Sequence, residues 1–247
     1  SGYGHLVQKH AEQEDESEDG SLLGNLGGGS DHVGFYTFAG VPSLGAGFRG
    51  SSPIYHSAYD NFAWYERFAD TSFVYGPALA RVDGVLALRL ANADVLPYDV
   101  QRYATDLQSH LASLEERAAE DSVATDFGSL YSALDSLDAA TTAYADAREA
   151  ALASSGDLDT DAINRALLDL EAAFLHGEGM PFGERYKSLY ASPDPFSGYA
   201  SWMLPGLRYP VATADSALLG EWTPIYVRAV EDLTQRVRDL TGMLQTP

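Results

Sequence analysis

The sequence contains no cysteine. Disulfides and thiolate metal sites are therefore excluded, and any bound metal would need His, Asp or Glu ligands. No apolar run reaches the roughly 18 residues of a membrane-spanning helix. Positive charge is scarce: two lysines, Lys9 and Lys187, and 13 arginines face 36 acidic residues, for a net charge of −21 over 247 residues. A surface of that sign repels phosphate backbones, so nucleic acid is not an expected partner. Asp outnumbers Glu by 22 to 14, a balance that suits solubility in high salt and that a GC-rich genome also produces. A phosphate-cradling glycine loop followed by lysine, an HExxH helix and a nucleophile elbow are all missing. No secretory leader is visible, and the compartment stays open; periplasmic or extracellular placement and a high-salt source are both compatible with the composition.

What is present belongs to a folded chain: 45% of residues are apolar and 11% aromatic. The acidic run "EQEDESEDG" (12–20) and "GNLGGGS" (24–30) read as a flexible segment over 1–30. From Asp31 the character changes. "HVGFYTFAG" predicts a short helix ending at glycine, and "VPSLGAGF" (41–48) a strand whose glycines allow close approach. "DNFAWYERF" predicts a helix capped by Asp60, and the stretch from Ala80 to Pro97 a second one, with Val82, Val85, Leu86 and Leu90 on one side.

Four amphipathic stripes follow. They are Val100, Tyr103, Leu107, Leu111 and Leu114; Phe127, Leu130, Leu134, Leu137, Thr141 and Tyr144; Ile163, Leu167, Leu170 and Phe174; and Val230, Leu233, Val237, Leu240 and Leu244. Steps of three and four place each set on one helix face, which together predict a four-helix bundle. A long Pro/Gly/aromatic connection, 180–206, separates the third stripe from the fourth.

Several pieces in fixed order carry a resemblance: "GGSDHVGFYTFAGVPSLGAGF", "PIYHSAYDNF", "ALRLANADVLPYDVQRYA", "MPFGERYKSLYAS" and "GYASWMLPGL". Together they resemble the C-terminal part of the zinc exopeptidases of the glutamate carboxypeptidase II and transferrin receptor family. The resemblance implies an α+β chain. Residues 31–97 would be the C-terminal edge of an α/β zinc-peptidase domain, and residues 98–247 a mainly α, four-helix-bundle dimerisation domain. It also implies peptide-bond hydrolysis by a water activated between two zinc ions. His56 matches the family's last zinc ligand and is the one ligand on this chain. Tyr55, Tyr199, Ser30 and Gly29 match positions lining the substrate pocket. The implied partners are a peptide substrate, a second copy in a homodimer, and a preceding peptidase segment carrying the other ligands and the general base. Without that segment the chain is expected to be inactive.

Each assignment has a plainer competitor. A lone histidine is more often a loop residue than a ligand, Asp60 more often a cap than a partner of a ligand, and Asp31 and His32 more often fix a loop than hold a metal. Tyr199 reads equally as a buried aromatic of the long connection. His5, His10, His110 and His176 have no pattern around them and are expected at the surface. Where glutamate-preferring members carry cations, this sequence has Gly45, Gly47 and Gly198. Their loss argues against acidic substrates and for a broader or apolar specificity. A non-catalytic, transferrin receptor-like interaction module is the alternative function, and the retained His56 favours the enzyme lineage over it.

Overall fold

Each apolar stripe becomes a helix with a buried face. A computed structural model describes residues 24–26, 28–48, 53–154 and 158–245; the acidic run at 12–20, Lys9, His5, His10 and Arg49 lie outside them. The helices are α1 (Tyr75–Ala91), α2 (Gln101–Glu120), α3 (Gly128–Ala153), α4 (Thr160–Leu168), α5 (Pro205–Ala212) and α6 (Ser216–Gln245). A two-stranded antiparallel sheet pairs β1 (Ala191–Pro193) with β2 (Ser201–Met203). The described chain is thus mainly helical, as expected for a helical dimerisation domain.

The chain divides into two compact units. One comprises the described residues within 1–40, 110–126 and 174–223, the other those within 41–109, 127–173 and 224–247. In the second unit the stripes meet their expectation: Leu107, Leu134, Leu137, Ile163, Leu167, Leu170, Leu233, Val237 and Leu240 are fully buried. Burying a side chain of this size contributes about 1.5–3 kcal/mol. Polar ties fix the helices. The Asn164 side chain accepts from the backbone of Leu96 at 2.8 Å and donates to the carbonyl of Asp94 at 2.9 Å. The Tyr103 hydroxyl donates to Glu171 at 2.5 Å, and Arg236 pairs with both Asp169 and Asp232.

In the first unit the expected short helix forms around a π-helical turn, Gly34–Phe38. The carbonyl of its buried Thr37 accepts the N–H groups of Lys187 at 2.7 Å and Ser188 at 2.9 Å. The long connection is a β-hairpin rather than a plain linker. Asp194 shapes its loop, accepting from the Phe196 backbone and the Ser197 hydroxyl, each at 2.8 Å. Burial opposes ionisation of Asp194, but these hydrogen bonds outweigh it and hold the carboxyl below its ordinary range.

Two local expectations are corrected. Residues 41–48 run without regular structure and are largely exposed; a strand exists only where a neighbour takes its backbone hydrogen bonds. The helix after the His56 turn, Phe62–Trp64 continuing into Tyr65–Ala69, is capped by Asn61, whose side chain accepts from the Trp64 N–H. Asp60 sits one residue too early to reach that donor.

Candidate functional site

His56 lies in a tight turn. Ser57 N–H donates to the carbonyl of Ile54 at 2.9 Å, and Asp60 N–H to that of Ser57 at 3.1 Å. The backbone of His56 is left-handed, with φ +58°, a conformation that costs a residue with a Cβ about 1 kcal/mol or more. Its imidazole stacks on the Tyr55 ring, 3.9 Å between centroids and 19° from parallel, and both side chains are exposed.

Just downstream Asp70 does structural work. It is buried and accepts from the Tyr65 hydroxyl and from the N–H groups of Val74, Tyr75 and Gly76 at the start of α1. Burial opposes its charge, yet the bonds from Gly76, Val74, Tyr65 and Tyr75 hold the carboxyl below its ordinary range. Three N–H groups at a helix start are donors with no partner inside the helix, so one carboxylate satisfies most of that end.

The remaining candidates gather in the first unit. Tyr199 sits in the hairpin loop, exposed, and its carbonyl accepts the Gly28 N–H at 2.8 Å. Gly29 has φ +77°, and a Cβ there would meet the Tyr199 ring at 2.8 Å. At Gly28 a Cβ would stand 2.1 Å from the Gly198 carbonyl oxygen, so only glycine permits this approach. Ser30 is exposed beside them. Residues 170 positions apart in sequence are therefore neighbours, and Tyr199 is not a buried aromatic. Sequence reading missed Asp70 and Asp194, although each stands just ahead of the backbone N–H groups it accepts. Of the histidines expected at the surface, His176 packs edge-on to Trp222 and His110 to Tyr190, and neither is exposed.

Among the described residues no group of three or more His, Asp or Glu could hold a metal ion. Zinc takes three or four protein ligands. His56 offers one imidazole, so the described residues do not by themselves fit a zinc ion.

Comparison with known proteins decides the lineage. A family model of the transferrin receptor-like dimerisation domain matches residues 125–238. The chain is 32% identical over 192 residues to the probable glutamate carboxypeptidase LAMP1 of Arabidopsis thaliana, covering 77% of this chain and 28% of that protein. The chain belongs to this peptidase family, as a C-terminal part of it. It is likewise similar to the aminopeptidase NAALADL1 of Rattus norvegicus, 34% identical over 177 residues, covering 67% of this chain and 24% of that protein. A probable glutamate carboxypeptidase of Arthroderma benhamiae is 30% identical over 195 residues, 76% of this chain and 27% of its own. The chain thus spans about a quarter of the length of the curated relatives it matches.

Proposed function

We propose that the chain serves a dizinc exopeptidase of carboxypeptidase or aminopeptidase type. In this reading residues 31–97 close the peptidase domain and residues 98–247 join two copies in a homodimer. His56 donates one zinc ligand, and Tyr55, Tyr199, Ser30 and Gly29 are the substrate-binding candidates. The other ligands and the general base come from polypeptide outside the described residues, so no step of hydrolysis is assigned to this chain's own groups.

The observation that carries the reading is the state of His56. A histidine held exposed in a strained left-handed turn is not being used for core packing, and such strain is retained where function requires it. The approach of Tyr199 to Gly29 adds support, because it gathers three pocket candidates at one exposed place. The test is a panel of peptide substrates offered to the protein isolated from its source and to its His56→Ala and Tyr199→Phe variants. Hydrolysis that His56→Ala abolishes, with the helical content unchanged, is the expected result. Hydrolysis unaffected by that variant overturns the role of His56. No hydrolysis in any form supports the non-catalytic dimerisation module instead.

A further inference from the structure

The first unit contains a cavity of about 390 Å³ that none of the residues assigned above lines. The last three turns of α2 bring His110, Ser113 and Arg117 to it, spaced by three and four so that they share one face. β2 contributes Ser201, and the first turn of α5 contributes Arg208. Two guanidinium groups therefore share one cavity in a chain with only 15 cationic side chains.

Neither arginine is fully engaged. Arg208 is half-buried, lies 4.8 Å over the Trp202 ring and donates weakly to the Ser201 carbonyl at 3.5 Å. Among the described residues no carboxylate is within ion-pair distance of it. Arg117 reaches Asp121 only at 3.8 Å, with both side chains about half exposed. A guanidinium carries five N–H donors, so most of the donors of Arg208 remain for a ligand. Burial, and then the charge of Arg117, push Arg208 below its ordinary pKa, with Asp194 partly opposing them. An anion in the cavity would relieve both costs.

The other lining charges define which anion. Glu116 and Glu120, one turn apart on α2, also face this space. They repel a dianion such as phosphate and offer acceptors to an ammonium group. A molecule with one carboxylate and one ammonium complements all four charges, and the volume falls within the range of small-molecule sites. We propose that this cavity binds a free α-amino acid, with its carboxylate on Arg208 and Arg117 and its ammonium on Glu116 and Glu120. An exopeptidase releases free amino acids, so such a site would sense product; that link rests on the proposed function, whereas the binding itself does not.

The experiment is calorimetric titration of the full chain, in phosphate-free buffer, with L-leucine, L-glutamate, acetate and inorganic phosphate in turn. Saturable binding of an amino acid, tighter than that of acetate or phosphate, is expected. Arg208→Met keeps an unbranched apolar chain over Trp202 and should weaken amino-acid binding at least about tenfold. The half-exposed Arg117→Gln should do the same if Arg208→Met fails to fold. Glu116→Gln with Glu120→Gln should reverse the preference toward phosphate. Binding of phosphate but no amino acid to the unmodified chain, no saturable binding, or unchanged binding in the folded arginine variants overturns the proposal. None of these outcomes depends on hydrolysis, so the site can fail while the peptidase reading stands, and the reverse.

Discussion

Along α6, Val230, Leu233, Val237 and Leu240 are buried to 1% exposure or less, whereas along α1 Val82 is 50% and Val85 41% exposed, and Leu88, off that side, 66%. Both helices announce an apolar side in the sequence. Periodicity decides which residues share a face; burial additionally requires an element to pack on it. In the bundle the partner helices follow in the same chain. For α1 and for the aromatic residues around it, such as Phe48, Phe62, Phe68 and Phe73, no such cover exists among the described residues. Exposed apolar surface of that extent marks an interaction site; under the proposed function, its occupant is the rest of the peptidase domain.

The comparison can be broken most forcefully in the bundle. Leu240→Ala or Leu233→Ala should lower unfolding free energy by about 2–5 kcal/mol, because each leaves a cavity that its neighbours refill only partly. Leu88→Ala on α1 should stay within about 0.5 kcal/mol in the same urea titration. Equal losses at both places would mean that α1 is covered after all.

A second, smaller effect concerns how α1 starts. Asp70→Ala removes the acceptor for three backbone N–H groups and the Tyr65 hydroxyl, so the first turn of α1 should lose amide-exchange protection while the bundle keeps its own. The native carboxyl is held below its ordinary value, and its contribution is present above the ordinary aspartate range of about 3.9. It is lost as pH falls through the lower folded value. Stability against acid should therefore drop less steeply in the variant.

Inside the bundle the sign reverses at Glu171. Burial raises its carboxyl above the ordinary range, and the hydrogen bond from Tyr103 offsets this only in part. The folded state then binds more protons than the unfolded one. Stability from this group is complete below about pH 4.3, the unfolded value, and declines as pH rises through the folded one. Glu171→Gln keeps an acceptor for Tyr103 and should flatten that decline in urea titrations at several pH values.

The mildest expectation separates the two surfaces. If residues 98–247 form the homodimer, Leu88→Glu on α1 should leave the sedimenting mass at that of a dimer. A monomer in that variant alone would assign the dimer contact to α1.

The stripes were legible because Leu233, Val237 and Leu240 repeat at helical spacing and their partners are local helices with the same signal. The β-hairpin was not, because each strand has three residues and its shape depends on Asp194 reaching the backbone of its own loop. Asn61 displaced Asp60 as the cap through a one-residue difference in reach. Residues 41–48 carry a strand-like composition, but a composition cannot supply the neighbour that a strand needs. Of the candidate site, the residue types were readable, whereas the left-handed backbone of His56 and the contact of Gly29 with Tyr199 arise only from folding. The two arginines of the cavity, Arg117 and Arg208, are 91 positions apart and announce nothing in the sequence.

The most direct test of the central claim, that His56 belongs to a zinc site completed by other polypeptide, is a native mass spectrum of the protein purified from its source, with and without His56→Ala. The account predicts a dimer carrying two zinc ions per catalytic unit, and loss of zinc in the variant without loss of the dimer. A metal-free dimer, or zinc content indifferent to His56, would contradict it.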